Sequence, residues 1–217
     1  MRVTNGNIMN NYLHNLNRNL GNMQKYQNQL STGKEITRPS DEPFLATRAM
    51  NLQTSIDRND QYLRNTADYI RWKGVTDSAL GDMTDILQRV RELTVYGANG
   101  TLAPDDMEAI AQEMGQNIEA LAQIGNTNYD GRYVLAGQMT TAPPFSVTGN
   151  MLSYAGDSGE LSRELSENVT MTANISGDRI MDGGTESLGA TLETIMDRLT
   201  SGDSGALSSD SIARLDE

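Results

Sequence analysis

A lone histidine, three aspartates within one short stretch, a glycine–lysine pair and an asparagine-rich loop are the residues whose types and spacing could do chemistry here. The loop is the most suggestive. Asn126, Asn128, Asp130 and Gly131 stand where the first half of a calcium loop places its oxygen ligands and sharp turn. The second half fails, because Gly137 occupies the position that needs a bidentate glutamate. One carboxylate cannot hold a hard dication well, so the pair Asp130-Gly131 is expected to be a hairpin turn instead. Gly33-Lys34 is followed by Glu35, and no glycine stands five positions before Gly33, so it is not a phosphate loop. His14 is the only histidine and there is no cysteine, which excludes a histidine pair, a His–Cys dyad, disulfides and thiolate metal sites. His14 follows Leu13 and is expected on a helix flank. Asp77, Asp82 and Asp85 share one helical stretch with Thr and Gln and read as a solvated face rather than an acid–base pair. Asn168-Val-Thr170 and Asn174-Ile-Ser176 match glycosylation sequons, a short match that arises by chance in such a segment. No catalytic residue, cofactor site or metal site is expected.

The elements that would carry any function are long helices. Aromatics make up 5% of the 217 residues and mean hydropathy is −0.52, so Leu, Ile, Met and Ala must supply the apolar contacts. That composition suits helices burying narrow seams. Residues 3–31 read as a helix whose Met9, Leu13, Leu16, Leu20, Met23 and Leu30 follow heptad spacing, with Gln27 at the missed position. The remainder of this helix is dominated by asparagine, a mediocre helix former. It is expected to order only against a partner helix. The Met residues of this and later seams read as core filler, and Met also suits adaptable partner surfaces.

Gly33 is expected to end the first helix. Pro39 blocks continuation at Arg38, Ser40 or Asp41 offers an N-cap, and Pro43 falls in the first turn of the next helix. That helix is read over 44–96, about 80 Å long. Its stripe starts with Leu45, Ala49, Leu52, Ile56, Leu63 and Ile70. Near Gly74 the phase shifts to Val75, Ala79, Met83, Ile86, Val90 and Leu93, like a coiled-coil stutter. Residues 104–125 form a shorter helix with an acidic first turn, antiparallel to the long one across a short loop. Residues 129–182 hold short apolar runs between turn signals and read as β-rich. The runs are Tyr133-Val134-Leu135, Phe145-Ser146-Val147, Leu152-Ser153-Tyr154 and the alternating stretch from Val169 to Ile175. Residues 185–200 return to helix, and Ile212 and Leu215 look like the opening of another. The fold class expected is mainly α, a long helical hairpin or coiled-coil rod with a small inserted β-rich subdomain. The divisions are 1–43, 44–128, 129–184 and 185–217.

Charge narrows the partners. Net charge is −12, and residues 1–39 are +4, which leaves −16 for the rest. So acidic a chain repels a phosphate backbone and argues against nucleic acid. No stretch has the apolar length to span a bilayer. The first thirty residues lack the apolar core of a cleaved signal peptide, which leaves a cytosolic chain or export without one.

The block from Leu30 to Pro43 contains Ser31, Thr32, Gly33, Lys34, Pro39, Ser40, Asp41 and Pro43. It resembles the signature that follows the first helix in flagellins and their hook–filament junction relatives, as does the prefix Met1-Arg2-Val3-Thr4. Two details resemble the hook-associated junction branch more than filament flagellin. Pro39 and Pro43 bracket Ser40, Asp41 and Glu42. The run from Asn128 to Gly137 with Pro143-Pro144-Phe145 looks like that branch's step from helix into β-domain. The resemblance covers Met1 to about Phe145 and is looser through 146–200. It implies terminal helices in an inner coiled-coil layer and an outward-facing β-domain. It also implies a structural, extracellular role in the bacterial flagellum, joining hook to filament. The implied partners are copies of the chain, neighbouring hook-associated proteins and flagellin. Export would use the flagellar type III apparatus without a cleaved signal peptide, with an export chaperone. The long C-terminal helix expected in that family does not follow within these 217 residues, which leaves the Met9–Leu30 seam without a helix of its own chain to pair with. Filament flagellin and a secreted, non-flagellar coiled-coil binding module are the competing readings.

Overall fold

Apolar residues at heptad spacing with glycine and proline punctuation give helices where the spacing runs long, and hairpins where turn residues interrupt it. A computed structural model describes residues 5–36, 40, 42–183, 186–207 and 211. Helix α1 covers Asn5–Thr32, α2 Pro43–Gly97 and α3 Pro104–Gly125. Among the described residues four antiparallel hairpins follow: β1 (Asn128–Tyr129) with β2 (Arg132–Tyr133), β3 (Phe145–Thr148) with β4 (Met151–Tyr154), β5 (Ser162–Ser166) with β6 (Val169–Thr172), and β7 (Asp182–Gly183) with β8 (Glu186–Ser187). Short helix α4 (Asp178–Met181) precedes the last hairpin; α5 (Leu188–Ser201) and α6 (Ser204–Ala206) come after it. The class is mainly α, with a small β-rich part inserted between α3 and α5.

The chain divides into two compact units, Met1–Gln61 and Tyr62–Glu217. The first contains α1 and the start of α2. Gly33, at φ +65°, ends α1, and its N–H donates to the Gln29 carbonyl at 2.8 Å. A left-handed residue there satisfies a helix-end carbonyl without a Cβ penalty. Helix α2 opens at Pro43, and the Glu42 carbonyl accepts from the Ala46 N–H at 2.9 Å. The cap position is therefore Glu42, not Ser40, because a proline at the first helical position puts the cap immediately before it. Ser40 lies in the turn ahead of it. Pro39 and Asp41, and also Ile212 and Leu215, lie outside the described residues.

The second unit has a continuous dry core. Trp72, Met83, Val90 and Leu93 of α2 meet Met107, Met114, Ile118 and Leu121 of α3 and Leu192, Ile195 and Leu199 of α5. Arg89 of α2 reaches Glu113 of α3, and Trp72 reaches Tyr129 just past the end of α3. Pairs placed so evenly about the 98–103 loop mean an antiparallel α2–α3 hairpin. Close approaches seat α5 against α2 and β4. A Cβ on Gly97 would lie 2.5 Å from Leu199 Cδ2, and one on Gly189 would lie 2.0 Å from the Leu152 carbonyl oxygen. Helix α5 is capped by the Ser187 hydroxyl, which accepts from the Ala190 N–H at 3.3 Å, and it ends at Gly202 with φ +74°.

The β-rich part differs in detail from the expectation. The run Tyr133-Val134-Leu135 is not a strand beyond Tyr133. Val134, Leu135 and Ala136 are buried turn residues. Their backbone is satisfied by non-sheet partners. Val134 N–H donates to the Thr127 carbonyl at 3.1 Å, and the Leu135 carbonyl accepts from Gly177 N–H at 2.8 Å. The alternating stretch from Val169 is strand only to Thr172.

Candidate functional site

Helix α1 carries its apolar residues uncovered. Met9, Leu13, Leu16, Leu20, Met23 and Leu30 are all exposed, from 42% for Leu16 to 86% for Leu30. Ile8, Tyr12 and Tyr26 flank them and are exposed as well. These three widen the heptad stripe. They fall one position off the heptad steps, and their signal in the sequence is large apolar side chains set among asparagines. Ser31, Thr32, Gly33 and Lys34 form the exit of this helix. The Thr32 hydroxyl donates to the Asn28 carbonyl at 2.8 Å, and Gln29 Nε2 donates to the Glu35 carbonyl at 2.8 Å. These are local turn-holding contacts, with no ligand geometry.

The start of α2 repeats the pattern. Leu45, Leu52, Ile56, Leu63 and Ile70 are exposed, as are Phe44 and Met50. From Trp72 onward the same helix is covered along one face. Trp72, Thr76, Ala79, Met83, Val90 and Leu93 are buried, and Val75 and Ile86 are half-buried. The phase shift expected near Gly74 therefore coincides with the change from bare to covered, and the covered stripe begins two residues earlier, at Trp72. Its two buried threonines are satisfied within the helix. Thr76 Oγ1 donates to the Trp72 carbonyl at 2.9 Å, and Thr94 Oγ1 to the Val90 carbonyl at 2.8 Å. Fully covering a Leu, Ile or Met side chain is worth about 1.5–3 kcal/mol. The bare stripes are therefore a large unused driving force.

At the far end of α3, Asn126 joins the helical and β-rich parts. Its Nδ2 donates to the Phe145 carbonyl at 2.8 Å, and its Oδ1 accepts from the Phe145 N–H at 2.9 Å. The Phe145 ring lies against Gly125, where a Cβ would sit 2.5 Å from it, and packs on Tyr154 at 5.2 Å between ring centres. Tyr154 Oη stands 3.0 Å from the Leu135 and Asp157 carbonyl oxygens. The Ser176 hydroxyl donates to the same Asp157 oxygen at 2.8 Å. The calcium-like loop resolves as expected. Asp130 (φ +51°) and Gly131 (φ +77°) are the two loop residues of the β1–β2 hairpin, and Gly131 N–H donates to Asn128 Oδ1 at 2.9 Å. Both polar atoms of the Asn126 amide are taken up by the Phe145 backbone.

The other chemistry-bearing residues are dispersed. His14, Asp77, Asp82 and Asp85 are exposed on helix faces. Asn168 sits at a hairpin turn with φ +62°. Asn174 is buried, accepting from Leu161 N–H and donating to the Gly159 carbonyl, both at 2.8 Å, so that sequon holds a loop together. Among the described residues no three His, Cys, Asp or Glu gather as metal ligands, and no helix is long and apolar enough to cross a membrane. Arg89 donates through Nε and Nη2 to Glu113 at 2.9 and 2.7 Å, and through Nη1 to Glu92 at 3.0 Å. Those hydrogen bonds, Glu113's first, raise its pKa above the ordinary arginine value. It is an exposed strut between α2 and α3.

Known proteins share this arrangement. The family described as the bacterial flagellin N-terminal helical region matches residues 3–140. Flagellar hook-associated protein 3 of Escherichia coli K12 is 31% identical over 164 residues, covering 75% of this chain and 51% of that protein. Flagellin 1 of Proteus mirabilis is 28% identical over 180 residues, covering 82% of this chain and 47% of that protein. The crystal structure of Bacillus cereus FlgL superimposes with a TM-score of 0.64 at 22% identity, covering 79% of this chain and 82% of that one. The chain spans about half the length of the curated relatives it matches.

Proposed function

Since the chain belongs to the family of the bacterial flagellin N-terminal helical region, we propose that it is a structural, non-catalytic subunit of the bacterial flagellum, placed at the junction between hook and filament. It assembles by covering the stripes of α1 and the start of α2 with helices of neighbouring subunits. The observation that carries this reading is the heptad seam Met9, Leu13, Leu16, Leu20, Met23 and Leu30, all exposed on one helix. A stripe at this spacing is the geometry for knobs-into-holes packing, and a helix so poor in intrinsic propensity orders best against a partner. Between the two bare stripes, Gly33 ends α1 and Pro43 opens α2, and the Leu30–Pro43 block, with Ser31, Thr32, Gly33, Lys34, Pro39, Ser40, Asp41 and Pro43, is the sequence signature that goes with this role. The partners are further copies, neighbouring hook-associated proteins and flagellin, reached outside the cell after export without a cleaved signal peptide and with an export chaperone. Nucleic acid and membrane insertion have no place in this role.

Filament flagellin is the competing reading within the family. The proline pair at 39 and 43 and the run from Asn128 to Gly137 favour the junction. Replacing Leu13, Leu16 and Leu20 together with Asn tests the seam. Cells carrying the triple variant are expected to export the chain but to shed filaments and stop swimming, while its thermal unfolding stays unchanged. Normal motility with the variant in place rejects the seam as the assembly surface. Purified chain that grows long filaments from seeds points to flagellin instead.

A further inference from the structure

We propose that the aromatic cleft between α2, the β1–β2 hairpin and the β5–β6 hairpin is a saccharide-binding site, separate from the helical seam. The cleft has a volume of about 470 Å³, within the range of small-molecule sites. Its wall is Tyr69, Trp72 and Tyr129, with Trp72 and Tyr129 edge to face at 6.0 Å. Its rim carries Asp68, Asp130, Arg132 and Arg163, all exposed. Two carboxylates and two guanidiniums stand around one opening, yet none of the four forms an ion pair among the described residues. Trp72 is only 7% exposed, and its indole N–H meets no acceptor among the described residues, an unusual state for a buried donor.

Chemistry selects the ligand class. Carboxylates only accept hydrogen bonds and guanidiniums only donate them, while a sugar hydroxyl does both. A rim with both kinds, unpaired with each other, therefore suits a polyhydroxylated ligand whose hydroxyls can bridge them. The aromatic wall offers apolar faces to sugar C–H groups. The rim is charge-balanced, so it selects against a plain anion or cation. Lys73 Nζ, 5.9 Å from the Tyr69 ring centre, further discourages a cationic guest.

Trp72 is the chain's only tryptophan, so its emission reports on the cleft directly. The test titrates the 217-residue chain with D-glucose, D-galactose, D-mannose and N-acetylglucosamine, with glycine betaine and free arginine as charged controls. Saturation-transfer NMR on the sugar protons provides a second signal. At least one sugar is expected to bind saturably with a Kd of about 1–10 mM. Asp68→Asn and Arg163→Ala, both on exposed side chains, should each weaken it about tenfold through loss of a charged hydrogen bond, with melting temperature unchanged. No saturable response to any sugar by either signal overturns the proposal. So does binding that both variants leave intact, or a response to betaine or arginine alone.

Discussion

Residues 5–70 and residues 72–207 carry the same apolar heptads, but only the second set is covered. Leu16 and Leu192 are both leucines on helical stripes; one is 42% exposed and the other 0%. The difference cannot come from spacing, which is alike in both. It comes from what else the chain supplies. Past Trp72, α3, α5 and the β3–β4 hairpin provide surfaces of matching shape, and the stripe is dry. In the first stretch no described side chain of α1 is buried. A heptad therefore announces that a surface seeks a helix, and not where that helix comes from.

The largest expected contrast is in amide hydrogen exchange. In the monomer, Val90 and Ile118 should exchange only through global unfolding, typically about 5–15 kcal/mol uphill. Amides of residues 9–30 should exchange near the unprotected rate, at least a thousandfold faster. Strong protection of α1 in a verified monomer breaks the comparison. Next in size is a matched pair of substitutions. Leu192→Ala should cost about 2–5 kcal/mol in thermal or urea unfolding, whereas Leu16→Ala should change monomer stability by less than about 0.5 kcal/mol. Equal effects would mean that the two leucines share one environment. The smallest expected effect sharpens the boundary between helices and hairpins. Asn126→Ala removes both hydrogen bonds to Phe145 and should cost about 1–3 kcal/mol. Its unfolding should show a less cooperative transition when near-UV signals from Tyr154 and Trp72 are compared. Coincident, unshifted transitions argue that Asn126 is only a helix cap.

Local periodicity made most of the fold legible in advance. Helix α3 lies where its Pro104 start and apolar steps put it, and α2 begins at the proline expected in its first turn. The Asp130-Gly131 hairpin followed from turn chemistry alone, since two adjacent residues that tolerate positive φ suit a two-residue loop. What stayed hidden depends on distant pairs. Nothing around Val134 and Leu135 reveals that their backbone will be satisfied by Thr127 and Gly177 rather than by a neighbouring strand. The Asn126–Phe145 clamp joins residues 19 positions apart, with no signal in either neighbourhood. The seam of α1 was readable as a stripe, but Ile8, Tyr12 and Tyr26 escaped because a strict heptad is narrower than the surface it belongs to. The aromatic cleft was not foreseen at all. Its tryptophan, tyrosines and arginines come from separate elements.

Helix α2 is one uninterrupted element from Pro43 to Gly97, although its two ends lead different lives. Forming a first helical turn is the unfavourable step, and lengthening an existing helix is not. The buried stretch beyond Trp72 acts as a permanent seed, so residues 43–61 can wind up on contact by simple elongation. Helix α1 stands beyond the break at Gly33 and must start afresh. During docking the chain should therefore zip in a fixed sequence, the amino-terminal helix last.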